Sequence, residues 1–184
     1  VKLPSEESIY SLPEVKAAEG PDQDLPVDPY LLGLWLGDGT TKRAEISTED
    51  PEVLEAFRIG GYEITHRDRC TYGISGRRKW NREDSFWSAL GRAGVAGNKH
   101  IPKEYLRASI EVRQALLQGL VDSDGWVSKD GVVQFYSTLP ALADGVEELA
   151  RSLGGVVKRS EKIATLNGKP VGPVWTLSLR MPIC

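Results

Sequence analysis

A nine-residue motif occurs twice, and its repetition constrains the fold more than any other feature of the chain. LLGLWLGDG at 31–39 and LQGLVDSDG at 117–125 agree at Leu31/Leu117, Gly33/Gly119, Leu34/Leu120, Asp38/Asp124 and Gly39/Gly125, an offset of 86 residues. Self-similarity at a fixed spacing marks a duplicated structural unit. The likeness continues downstream: AEIST (44–48) answers QFYST (134–138), aligning Ser47-Thr48 with Ser137-Thr138 at an offset of 90. A helical stretch follows each, at 51–61 and 141–155, ending in a glycine pair suited to a left-handed C-cap. Beyond each pair lie strand-like stretches. The first half holds GYEITH and RCTYGISG; the second holds GVVKRSEKIATL and PVWTLSLR, joined at Asn167-Gly168. Each half reads helix, strand, strand, helix, strand, strand. A further helix is expected over 81–95 of the first half, and its equivalent would fall beyond Cys184.

These signals divide the chain into an acidic, proline-rich arm (1–29), a first half (30–97), a connecting segment (98–116) and a second half (117–184). A net charge of −3 over 184 residues disfavours a nucleic-acid partner if it is spread evenly. It is not. The arm carries −5 and five of the eleven prolines, and reads as an extended linker. The remainder is +2, with +5 concentrated in 66–82 and +4 in 151–169. No apolar run is long enough to span a bilayer and no leader marks secretion, so a cytoplasmic protein is expected. Cys70 and Cys184 make neither a disulfide framework nor a zinc pair.

Gly33 and Gly37 lie at i and i+4 on one helical face, as do Gly119 and Ser123. Each helical Gly costs about 1 kcal/mol relative to Ala, which close packing of the two motif helices on each other would offset. Their C-terminal ends then coincide and bring Asp38 near Asp124. Two carboxylates at the negative ends of helix dipoles repel each other, and a bound divalent cation relieves both penalties. One Asp-Gly pair would merely end a helix; two in matching frames point to a site. An EF-hand loop is excluded, because it would put Leu120 and Gly131 at the first and last ligand positions.

The two motif copies resemble those of the LAGLIDADG homing endonucleases, especially the endonuclease domains of inteins. Asn98-Lys99-His100-Ile101-Pro102 is similar to the lysine-containing block of the intein enzymes. The likeness spans about residues 28–180. It implies an α+β fold: a pseudo-two-fold pair of αββαββ(α) units with the motif helices at the centre and two antiparallel strand saddles on the DNA. It also implies that Asp38 and Asp124 are the catalytic, metal-binding acids, with the carbonyls of Gly37 and Ser123 as further ligands. Lys99 takes the place of the basic residue that polarises the attacking water or the phosphate. The implied reaction is a staggered, Mg²⁺-dependent double-strand cut in a long target, with Ca²⁺ supporting binding but not cleavage. The implied enzyme is a monomer acting on double-stranded DNA. A lysine symmetric to Lys99 would lie beyond Cys184, leaving Lys79 and Arg180 as substitutes. The chain neither opens on Cys or Ser nor closes on His-Asn. It therefore reads as an endonuclease domain without splicing machinery, from an intein precursor or an intron, its arm the former junction.

Two-stranded ribbons fit the DNA major groove, where Arg and Lys read guanine edges. The candidates are Arg67, Arg69, Arg77, Arg78, Lys79 and Arg82 in the first half, and Lys158, Arg159, Lys162 and Lys169 in the second. Strand alternation puts Arg67 with Arg69, and Arg77 with Lys79. Trp35, Trp87 and Trp126 read as core or interface residues, leaving Trp80 as the tryptophan near DNA. The rival function is a DNA-binding protein or RNA maturase that kept the fold and lost cleavage. The intact acids oppose it, and the missing second lysine favours it.

Overall fold

The computed structural model describes residues 17–76, 85–129, 131–166 and 169–182; Arg77, Arg78, Lys79, Trp80 and Arg82 lie outside them. The first half holds α1 (Pro29–Asp38), β1 (Glu45–Ser47), α2 (Pro51–Ile59), β2 (Ile64–Asp68), β3 (Thr71–Ile74) and α3 (Phe86–Arg92). A single-turn α4 (Lys103–Leu106) leads to the second half: α5 (Ile110–Asp124), β4 (Gly125–Val127), β5 (Val133–Ser137), α6 (Pro140–Ser152), β6 (Val156–Leu166) and β7 (Lys169–Arg180). Helix starts follow local chemistry. The Asp28 carboxylate accepts from the Tyr30 and Leu31 amides with Pro29 in the first turn, and the Ser109 hydroxyl accepts from the Val112 amide.

The two motif helices, α1 and α5, form the central contact between the halves. A Cβ on Gly33 would lie 2.4 Å from the Leu116 carbonyl oxygen, and one on Gly119 would lie 2.2 Å from that of Tyr30. The small residues thus let backbone meet backbone. The Tyr30 hydroxyl donates to Asp122 Oδ2 at 2.9 Å and ties the start of α1 to the last turn of α5.

Both sheets are antiparallel, in the orders β1-β3-β2 and β4-β5-β7-β6. In the first half the strand after the motif helix shrinks to one bridge, Gly39 with Ile46, the counterpart of Gly125 with Phe135. This pairing corrects the alignment of the repeat. Ile46 and Phe135 are the buried anchors of β1 and β5, and Pro51 and Pro140 open α2 and α6. The Asp50 and Leu139 amides donate to the hydroxyls of Thr48 and Ser137. From these anchors to the starts of α2 and α6 the equivalence therefore runs at an offset of 89, not 90. The shared Ser-Thr letters had aligned residues that point to opposite faces.

Each sheet is covered on one side by helices. Trp35, Ile46, Phe57 and Phe86 are fully buried in the first half, as are Phe135, Val146, Leu177 and Leu179 in the second. Phe57, Tyr62 and Phe86 meet edge to face with centroids 5.1–6.5 Å apart, fixing α3 against α2. The helix expected over 81–95 is α3, which begins after its Ser85 cap.

Residues 17–28 form neither helix nor strand, and buried side chains of the body hold them. The buried Tyr105 hydroxyl accepts from the Val27 amide (3.0 Å) and donates to the Val27 carbonyl (2.7 Å). Arg113, 2% exposed, donates to the carbonyls of Ala18, Ala108 and Ser152 and so joins the arm to α5 and α6. Among the described residues, no helix is long and apolar enough to cross a membrane.

Candidate active site and nucleic-acid interface

Asp38 and Asp124 are the last residues of the two abutting helices, α1 and α5. The glycine after each closes the final turn, its amide donating to Trp35 O or Val121 O, and the chain then leaves extended. Glycine is required there by space rather than by a left-handed conformation. A Cβ would lie 2.3 Å from Trp35 at position 39 and 2.4 Å from Val121 O at position 125. A Cβ on Gly37 would lie 2.0 Å from Ser123 Oγ, so the helices stay in contact to their ends. The Ser123 hydroxyl turns back toward the Gly119 and Leu120 carbonyls at 3.0 and 3.1 Å, leaving its backbone carbonyl as the group to consider for a metal.

Lys99 comes to the same place from the loop after α3. Its Nζ donates to the Gly37 carbonyl at 2.8 Å and lies 5.4 Å from the centroid of the Trp35 ring. The Gly37 carbonyl therefore has one of its two lone pairs engaged. Burial raises Asp38 to about 6; the Asp124 charge adds to the rise and Lys99 opposes it. Asp124 is also raised by burial, against the pull of Lys99. Burial lowers Lys99 to about 8, with both carboxylates resisting. A cavity of about 480 Å³ opens beside these groups, lined by Thr41, Lys99, Asp124, Tyr136, Ser137 and Thr138 among others. Among the described residues, no three His, Cys, Asp or Glu side chains cluster as a metal site. Two carboxylates beside backbone carbonyls form an all-oxygen donor set, which fits a hard divalent cation that draws further ligands from water and phosphate.

Each sheet keeps one face away from its helices. On the second, Trp126, Gln134, Ser178 and Lys158 form one row across the strands, and Tyr136, Thr176 and Ser160 form the next. Lys162 and Val174 follow, and Arg180 shares this face, which carries no carboxylate among these residues. Lys169 is exposed at the start of β7. Arg159 points the other way. It pairs with Asp144 and, at 3.4 Å, with Glu147 on α6, because strand alternation puts it with buried Leu177. On the first sheet, Glu45, Ser47, Thr65 and Thr71 share the outer face, and the Arg67 side chain lies over Gly73. Arg69 does not follow Arg67. A bulge after His66 breaks the alternation, and Arg69 sits in the turn at φ 44°.

Trp35 is buried in the core, but Trp126 is 56% exposed on the outer face and, contrary to expectation, packs into neither the core nor an interface among the described residues. Gln134, Tyr136 and Glu45 share the outer faces and were missed because they are not basic. Their signal was present, since a period of two from buried Phe135 and Ile46 puts them outward.

Residues 100–178 match a family model described as homing endonuclease. The chain is 40% identical over 153 residues to the replicative DNA helicase DnaB of Mycobacterium intracellulare, covering 83% of this chain and 23% of that protein. It is 33% identical over 176 residues to the homothallic switching endonuclease of Saccharomyces cerevisiae, covering 77% of this chain and 30% of that protein. It thus spans less than a third of the length of these curated relatives. Among solved structures, I-DmoI in complex with DNA and Mn superposes with a TM-score of 0.51 at 16% identity, over 84% of this chain and 89% of that one. At that identity the likeness shows the fold. The residues that join the two halves of this molecule are the family's own doubled motif, and the chain belongs to the LAGLIDADG homing endonucleases.

Proposed function

We propose that this chain is a site-specific DNA endonuclease that makes a staggered double-strand break in a long duplex by Mg²⁺-dependent phosphodiester hydrolysis. One observation carries the reading: two helices packed backbone to backbone bring Asp38, Asp124 and Lys99 to one point between two outward-facing sheets. One relative is named an endonuclease, and the I-DmoI structure is a complex with DNA and Mn, in line with this chemistry.

Asp38, Asp124 and the Ser123 carbonyl would hold the divalent cation. Bound there, it would supply an acidified water and neutralise charge developing on the scissile phosphate. The protein supplies the rest. Lys99 commits one of its three donors to Gly37, which anchors its ammonium beside both acids and leaves two donors for phosphate oxygens. Trp35 shields one side of that ammonium from water. The two-fold relation of the halves sets one acid toward each strand, as a double-strand cut requires.

The two sheets would lie along the major groove, with Arg67 on one and Lys158, Lys162 and Arg180 on the other. Arg69 and Lys169 would contact phosphates, whereas Arg159 is held by Asp144 and Glu147. The DnaB relative supports a place for this domain within a longer, intein-bearing chain.

Incubation with a randomised duplex library and Mg²⁺, followed by sequencing of the ends, tests the reading. One enriched, centrally cut site is expected. If a bound motif is enriched in Ca²⁺ but no cut ends appear in Mg²⁺, the cleavage-deficient alternative holds. If neither appears, the chain is not a site-specific DNA protein.

A further inference from the structure

We propose that Glu45 and Gln134 are symmetry-related base readers that make the target asymmetric, cytosine in one half-site and adenine in the other. The inference rests on the endonuclease reading above and deepens it.

The two residues hold the same place in the repeat. Each immediately precedes the buried anchor of its strand, Ile46 or Phe135, and each anchor pairs with the glycine that follows a catalytic-helix aspartate. Glu45 and Gln134 therefore stand at matching positions on the two outer faces, equally removed from the centre of the site.

Their chemistry differs. The Tyr136 hydroxyl, two residues along the same face, donates to Gln134 Oε1 at 2.5 Å. This fixes the amide with one carbonyl lone pair and both N–H groups still to satisfy. That donor–acceptor pair is the complement of adenine N6 and N7 in the major groove. At position 45 the group is a carboxylate. Phosphates repel a carboxylate on a DNA-facing sheet, unless it accepts from the one base edge that offers only a donor, the cytosine N4 amine. Glu45 shares its face with Thr65, Thr71, Asp68 and Arg67; its side chain is 19% exposed, and its ion pair with the largely exposed Arg43 is long at 3.6 Å. The structural counterpart of Tyr136 is Ser47, whose hydroxyl is 3.2 Å from that of Thr71 and does not brace Glu45.

The test is selection of bound duplexes from a randomised library in Ca²⁺, with the full chain and three near-isosteric variants. Wild type should select adenine and cytosine at two positions equidistant from the centre. Gln134→Glu should change adenine to cytosine in its half-site alone, and Glu45→Gln should change cytosine to adenine in the other. Discrimination at each position should be roughly 5- to 150-fold, the worth of one well-made base contact. Tyr136→Phe should keep adenine but weaken its selection, as for a positioning residue. A motif whose preferences are unmoved in both exchanges overturns the proposal while leaving the endonuclease reading intact. No enriched motif from wild type overturns both.

Discussion

Replacing Gly119 with alanine adds one methyl group, and intrinsic propensity predicts that the helix gains about 1 kcal/mol from it. The packing of α1 on α5 predicts the opposite sign. The new Cβ would lie 2.2 Å from Tyr30 O, 3.0 Å from Leu34 N and 3.1 Å from Gly33 Cα. All three are backbone atoms, so no side chain can rotate away. A carbon and a carbonyl oxygen settle at about 3.3 Å or more, which requires the helices to part by about 1 Å. Overpacking of this kind costs about 1–3 kcal/mol and sometimes more, and an obstruction made of backbone belongs at the upper end. Set against the propensity gain, a net loss of about 2 kcal/mol is expected. For a chain of this size that is a fall in Tm of about 4–8 °C. Because α1 ends in Asp38 and α5 in Asp124, the same displacement should reduce cleavage more than DNA binding. The control is Gly91→Ala in α3, where a Cβ meets nothing within 4 Å. It should raise stability by up to about 1 kcal/mol. Urea denaturation of both variants, read by tryptophan fluorescence, makes the comparison. A Gly119→Ala protein as stable as Gly91→Ala would refute the close approach of the motif helices.

Tyr105→Phe removes the hydroxyl that serves both polar groups of Val27 and leaves them buried without it. A loss of about 2–3 kcal/mol in chemical denaturation is expected, with the arm becoming sensitive to protease. In metal-free protein, Asp38 titrates at about 6 when folded, above its ordinary 3.8. The folded state therefore holds the proton more tightly, and stability declines as pH rises from about 4 to about 6. Two units would be about 3 kcal/mol, but the group is only half-buried, so about 1 kcal/mol is expected after screening. Asp38→Asn should flatten this decline in EDTA and make the metal-free protein the more stable one at pH 7.

The centre of this molecule was legible because the sequence states it twice. Asp38 and Asp124 stand in matching frames, and the small residues before them announce a close helix pair. The strands were harder. Ser47-Thr48 and Ser137-Thr138 are the most obvious shared letters after the motif, yet burial of Ile46 and Phe135 puts the true equivalence one residue away. Letter identity carries no information about which face a side chain takes, whereas burial does. The same distinction separates Lys158 from Arg159, adjacent basic residues of which one faces outward and the other binds α6. The bulge beside His66 that displaces Arg69 has no local signature in Thr65–Asp68. The arm looked like a linker because what fastens it is remote: Val27 meets Tyr105 across 78 positions, and Ala18 meets Arg113 across 95.

The central claim is that one pair of carboxylates, delivered by two abutting helices, cuts the DNA. Its most direct measurement is single-turnover cleavage of the selected duplex in Mg²⁺ by wild type, Asp38→Asn and Asp124→Asn, with binding of the same duplex measured in Ca²⁺. Both variants should lose double-strand cutting while binding the duplex as tightly as wild type. A variant that still cuts both strands at the wild-type rate would contradict the account.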